Sequence, residues 1–249
     1  MGTPWSAALP VVYMATAAAP KRVTLIYPYY CNGQFLAVQV AGWQRWPADL
    51  RAHVEAVIVD DGSPEPAADV LRHLVPPFPW RLFRIREDRR WNWLAARNRG
   101  AHEAADGWLL MTDMDHVIPE ATMAAVVMGA HDPAVIYGFR RRESSGARLQ
   151  PHPNSWLLTR KRFWTVGGYD ETLSGYYGTD GDWRRRCARV ARMEILREDL
   201  VRHEFDGDSS TRRYQRKQPE DAAVKHLIAA RGPDWSPRTL SFAADEVAL

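Results

Sequence analysis

A layered α/β domain, with a mostly parallel sheet flanked by helices, is the fold class the sequence predicts. Three observations predict it. Short apolar segments alternate with longer helical ones from Val23 to Thr112. The apolar segments are nearly continuous, as in Val57-Ile58-Val59, which suits strands buried on both faces. A length of 249 residues, 46% hydrophobic and 25% charged, fits one main core and excludes disordered, collagen-like and multispanning membrane chains.

The elements follow in order. Val23–Pro28 reads as a strand, followed by a long amphipathic stretch and the strand Val54–Val59, which Asp60-Asp61-Gly62-Ser63-Pro64 stops. A helical Ala68–Leu74, a Pro-rich turn, the strand Trp80–Ile85, a helix from Trp91 to Ala105 and the strand Trp108–Thr112 come next. Pro119 and Glu120 then open a helix. Beyond it, Val135–Phe139 and Ser155–Thr159 read as strands and Arg160–Thr165 as a short helix. Gly167–Gly181 is a glycine-rich loop, Asp182–Ala191 an Arg-rich helix and Met193–Arg197 a last strand.

Residues 1–20 read as a flexible leader, 21–205 as the main domain, and 206–249 as an extension packed on it. The extension contains a polar loop over 206–216, a helix over 219–230 and an acidic tail. Pro4, Pro10 and Pro20 break the apolar leader, so neither a signal peptide nor a membrane span is expected. Cys31 and Cys187 provide no disulfide framework and no metal-ligand spacing, which points to a reducing, cytoplasmic setting.

In a sheet of this kind ligands bind beyond the carboxyl ends of the strands, so the polar residues there carry the functional reading. Asp60 and Asp61 end one strand, where a carboxylate can accept from a nucleobase N–H or a ribose hydroxyl; Asp-Gly-Ser is also a good turn signal. Asp113 and Asp115 end another, two residues and about 6.6 Å apart, a spacing that can grip a divalent cation or cap a helix. Asp180 sits between glycines in Gly178-Thr179-Asp180-Gly181-Asp182 and is free to act as a general base, whereas helix capping accounts for Asp182. His203, after a late strand, offers a nitrogen ligand beside Asp115.

With these motifs in sequence order, the chain resembles the family 2 glycosyltransferases of the GT-A fold over about Lys21–Phe205. The resemblance is carried by Tyr27-Pro28-Tyr29-Tyr30-Cys31-Asn32, Val57–Ser63 and Ala96-Arg97-Asn98-Arg99-Gly100, then by Leu110–Asp115, Val166–Glu171 and Tyr177–Asp182. It implies a metal-dependent, inverting transfer of a sugar from a nucleoside-diphosphate sugar, UDP-linked, to an acceptor hydroxyl. Pro28, Tyr30, Asp60, Asp61, Arg97 and Asp113 would bind the donor. Asp115, His203 and Asp113 would hold Mn²⁺ or Mg²⁺, and Asp180 would be the catalytic base. Gly167, Gly168, Trp156, Thr179 and Asp182 would line the acceptor side.

The chain departs from the family pattern at two places. Thr179 stands where the family usually has glutamate, which opens the identity of the acceptor, and His116 next to Asp115 is unusual. Residues 184–217 carry eleven Lys and Arg against six Asp and Glu. That excess fits a solvated helix face or, alternatively, a phosphate backbone, so the acceptor is a saccharide or a modified base in DNA. A nucleotidyltransferase and a catalytically silent nucleotide-sugar-binding protein are the competing readings. The first would need a glycine-rich phosphate loop where only Gly33 and Gly42 occur.

Overall fold

The computed structural model describes residues 20–205 and 218–249. The expected leader, but for Pro20, and the expected polar loop over 206–216 lie outside them. The first half is built from β1 (Val23–Tyr29), α1 (Gly33–Gln44), α2 (Ala48–Arg51), β2 (Val54–Asp60), α3 (Ala67–Leu71), β3 (Trp80–Ile85), α4 (Trp93–Glu103) and β4 (Trp108–Met111). The second half holds β5 (His116–Val117), α5 (Glu120–Met128), β6 (Val135–Glu143), β7 (Arg148–Leu149), β8 (Trp156–Thr159), α6 (Arg160–Val166), a 3₁₀ turn (Glu171–Leu173), α7 (Asp180–Val190), β9 (Arg192–Arg202), α8 (Gln218–Ala229) and β10 (Ala244–Glu246).

The strands form one sheet in the order β10-β3-β2-β1-β4-β8-β6-β9-β5, with β7 paired to β6. From β3 to β4 the pairing is parallel, with Val23 opposite both Val54 and Trp108. The chain moves outward from β1 through β2 to β3, then returns to place β4 on the other side of β1. That reversal opens a crevice at the carboxyl ends of β1 and β4, where a ligand can reach the backbone without displacing a crossover helix. Beyond β4 the sheet is mixed: β8 runs antiparallel to β4 and β6, while β9 is parallel to β6.

Alternation along β1 feeds both layers. Leu25, Tyr27 and Tyr29 pack with Leu36, Val40 and Trp43 of α1, whereas Ile26 packs on the opposite face with Leu94 and Ala101 of α4. Burial of these side chains, each worth about 1.5–3 kcal/mol, holds the rims of β1 and β2 in place.

Several boundaries differ from the sequence expectation. β6 and β9 run on through Arg140-Arg141-Arg142 and Arg197–Arg202, because backbone pairing between them continues where the apolar pattern stops. α7 begins at Asp180, with Thr179 at its N-cap position, so Asp182 lies in the first turn and does not cap the helix. The acidic tail supplies β10, which pairs antiparallel with β3 and places Asp245 and Glu246 against Arg86 and Arg81. Among the described residues no helix is long and apolar enough to cross a membrane.

Candidate active site

A cleft of about 750 Å³ opens at the crevice between β1 and β4. Pro28 and Tyr30 from the end of β1, Asp61 from β2, Asp113 and Asp115 from β4, Asp180 from α7 and His203 after β9 all line it. Acidic side chains from three distant stretches of chain therefore meet in one cavity.

The neighbours Asp60 and Asp61 have separate fates, because consecutive residues leaving a strand point to opposite faces. Asp60 lies outside the cleft: its Oδ1 accepts from the Ser63 backbone N–H at 2.7 Å, and its Oδ2 accepts from the Ala67 N–H and from Arg84, each at 2.9 Å. It ties the turn after β2 to α3 and β3. Gly62 makes that turn at φ +86, and a Cβ there would come within 2.4 Å of the Glu87 carbonyl oxygen, so glycine is required. Asp61 instead faces the cleft, 4% exposed, and its Oδ1 has no partner among the described residues. Burial, with Asp60 and Asp88 close by, pushes its carboxyl well above the ordinary range. A buried carboxyl oxygen without a partner is costly unless a ligand supplies one.

Asp113 and Asp115 follow β4 on a loop held from below by Gln39 of α1, whose amide donates to the carbonyls of Met114 at 2.9 Å and His116 at 2.8 Å. Arg97, fully buried on α4, donates to Asp113 Oδ1 at 2.5 Å and to the Tyr169 hydroxyl at 3.2 Å, and also bonds the Asn154 carbonyl. His152 Nε2 lies 3.3 Å from Asp113 Oδ2. Arg97 thus sits beneath the cleft and orients Asp113 without lining the cavity. Asp115 Oδ1 accepts from His116 Nδ1 at 2.6 Å, and its Oδ2 faces Arg202 at 3.9 Å.

Among the described residues no three His, Cys, Asp or Glu side chains converge as a ready-made metal cluster. The donors nevertheless fit a divalent cation. The His203 backbone N–H donates to the Asp115 backbone carbonyl at 2.8 Å, which brings the two residues together at the cleft. Burial and Arg45 lower the His203 pKa, so it is available as a neutral nitrogen ligand. Both Asp113 oxygens are already paired, with Arg97 and His152, which leaves Asp115 and His203 as the better-placed pair.

Asp180 stands at the first position of α7, half-buried, and no side chain of the described residues bonds its carboxylate. Thr179 is buried and outside the cavity, with its hydroxyl unpartnered among the described residues. Asp182 is turned away, accepting from Arg186 at 3.0 Å and from Arg231 at 2.5 Å, and Arg231 also holds Asp170. The tail thereby anchors the first turn of α7 from behind.

The other residues expected on the acceptor side do not reach the cleft. Trp156 is a core residue of β8, and Trp164 packs on the same cluster. Gly167 and Gly168 terminate α6 with φ +90 and +64, and Gly168 approaches Asn98 so closely that a Cβ would lie 2.8 Å from its Oδ1. Trp156→Ala is accordingly expected to cost about 3–5 kcal/mol of stability in a denaturant melt, by opening a cavity, instead of altering acceptor binding.

The structure adds residues that carried no sequence signal. Gln39, Arg141, His152 and Arg202 converge from α1, β6, the loop before β8 and the end of β9. Trp91 and Tyr177, with ring centroids 4.9 Å apart, line the cleft near Asp180. The sequence places Trp91 only at the start of a helix, and its φ of +53 became visible only in the fold.

The family described as Glycosyl transferase family 2 matches residues 44–196. TarS from S. aureus (residues 1–349), solved in complex with UDP-GlcNAc, superposes with a TM-score of 0.66 at 16% identity, covering 84% of this chain and 65% of that one. The mannosyltransferase PcManGT from Pyrobaculum calidifontis, solved with GDP-Man and Mn²⁺, gives 0.59 at 18%, covering 91% and 72%. GalNAc-T7 with UDP, GalNAc and Mn²⁺ gives 0.59 at 15%, covering 84% and 48%. The chain thus spans just under two thirds of the TarS fragment. No curated protein sequence matches it.

Proposed function

The chain belongs to glycosyl transferase family 2, and from that premise we propose a metal-dependent, inverting sugar transfer from a nucleoside-diphosphate sugar, UDP-linked, to an acceptor hydroxyl. The observation that carries the reading is the convergence of Asp61, Asp115 and Asp180 on one cleft. The Mn²⁺ and nucleotide-sugar complexes of proteins with the same GT-A fold support the donor class and the cation.

Each residue has a task in this reading. Asp61, with its unpartnered oxygen, receives a nucleobase N–H, and Pro28 and Tyr30 bound the base from the end of β1. Asp113, fixed by Arg97, accepts from the ribose. Asp115 and His203 hold Mn²⁺ or Mg²⁺, which when bound supplies Lewis-acid stabilisation of the departing diphosphate. Asp180, presented by the rigid start of α7, takes the proton of the attacking hydroxyl on the opposite side of the sugar. The acceptor is a saccharide. Arg184 and Arg185, exposed on α7 a turn beyond Asp180, support a second reading in which it is a modified base in DNA; a steep fall of acceptor affinity with salt would favour that one.

A thermal-shift series with UDP, GDP and their sugars, with and without Mn²⁺, tests the donor half. The expected result is a cation-dependent rise in Tm with UDP ligands that grows with the logarithm of concentration. A flat response to every nucleotide would overturn the reading.

A further inference from the structure

The unusual histidine after Asp115 is not idle in the structure. His116 is 1% exposed, and both of its ring nitrogens are engaged. Its Nε2 lies 3.3 Å from Arg141 Nη1, and its Nδ1 lies 2.6 Å from Asp115 Oδ1. A guanidinium has donors only and cannot accept. Facing Arg141, His116 Nε2 must therefore be the acceptor, the ring proton sits on Nδ1, and Nδ1–H donates to Asp115. Arg141 is itself fixed, because its Nε donates to the Gln150 carbonyl at 2.9 Å.

The same accounting covers Asp113. Its Oδ1 is taken by Arg97, and its Oδ2 faces His152 Nε2. His152 Nδ1 meets the Ser155 hydroxyl at 2.9 Å, and that hydroxyl meets Thr112 Oγ1 at 2.7 Å. Of the four oxygens in the acidic pair, three already have a close basic partner: Asp113 Oδ1 has Arg97, Asp113 Oδ2 has His152 and Asp115 Oδ1 has His116. Asp115 Oδ2 has the loosest partner of the four, Arg202 at 3.9 Å.

We infer that Arg141 and His116 form a positioning relay that fixes the tautomer of His116, and through it the Asp115 carboxylate, so that Asp115 offers a single oxygen, Oδ2, to the divalent cation. Asp113 then serves the donor and is not a direct cation ligand. The inference rests on the cation site proposed above. Groups that orient a ligating carboxylate or imidazole from behind typically change metal affinity by about 10–100-fold when removed.

The test is a titration of Mn²⁺ into the protein–UDP complex, followed by the electron paramagnetic resonance of free Mn²⁺, which reads binding without turnover. His116→Phe keeps a ring but removes the donor, and is expected to weaken Mn²⁺ binding by about 10–100-fold. His116→Asn keeps an amide N–H near the place of Nδ1 and is expected to stay within about threefold of wild type. Asparagine has no tautomer to choose, and the direct effect of the Arg141 charge on the acidic pair is common to both backgrounds, so Arg141→Met should weaken Mn²⁺ binding more in the wild-type background than in the His116→Asn background. Wild-type Mn²⁺ affinity in His116→Phe, or an equal effect of Arg141→Met in both backgrounds, would overturn the relay. Should His116→Phe fail to fold, the Arg141→Met pair decides alone. A wild-type UDP complex that takes up no Mn²⁺ removes the cation site and the relay together, an outcome distinct from uptake that ignores His116 and Arg141.

Discussion

Asp180→Asn is expected to slow release of UDP from the donor by about 10²–10⁴-fold, the range that general-base help supplies, with UDP affinity within about twofold of wild type. Donor hydrolysis suffices for the measurement, since water can stand in for the acceptor hydroxyl. The expectation comes from the separation of tasks around the cleft. Asp180 arrives on α7, while the residues assigned to the nucleotide arrive on β1, β2 and β4. The change alters no packing that holds the donor side, and Asn keeps the shape of the side chain. A variant with undiminished turnover would remove Asp180 from the role of base. One that also lost UDP would show that the side chain serves donor binding.

The second large effect concerns stability. Asp182 sits between Arg186 and Arg231, all three at most 13% exposed, so Asp182→Ala leaves two guanidinium groups facing a void. Breaking a buried pair in this way costs about 3–5 kcal/mol, which for a chain of this size lowers Tm by roughly 6–20 °C. Burial alone would raise the Asp182 pKa, but the hydrogen bond from Arg231 and the charge of Arg186 outweigh it and hold the carboxyl below its ordinary value of 3.8. A depressed carboxylate stabilises the fold above that value and loses its contribution as pH falls through the lower folded value. The Tm difference between wild type and variant should therefore be full near neutrality and shrink below about pH 4. A difference independent of pH down to 2 would exclude the carboxylate charge as its source. Arg231 belongs to the segment after α8, so the same pair explains how the C-terminal extension supports the helix that carries Asp180.

These two aspartates, two residues apart, illustrate the limit of reading function along the chain. The loop Gly178–Asp182 announces acidic chemistry, and the sequence distinguishes a free carboxylate from one with a structural task. It assigns that task to helix capping, however, because the true partner, Arg231, is 49 residues away and belongs to no motif. Asp60 and Asp61 pose the same difficulty. Alternation requires them to point apart, but which of them meets the cleft depends on the side of the sheet that α3 and Arg84 cover. Trp156, Gly167 and Gly168 were expected at the acceptor side from their place in the order of motifs. They serve packing and helix termination, and motif order records chain position without side-chain direction.

The sequence alone determined the layered α/β class, the positions of the first four strands and the acidic residues at their carboxyl ends. Apolar runs, turn residues and caps act over a few neighbours, and so they can be read locally. Only the tertiary structure decided which of those acids share a cavity, that Arg97 works beneath it, and that Gln39, Arg141, His152 and Arg202 frame it. These contacts join residues tens of positions apart through the return of the chain across β1 and the pairing of β6 with β9. That geometry belongs to the sheet as a whole and to no segment of it.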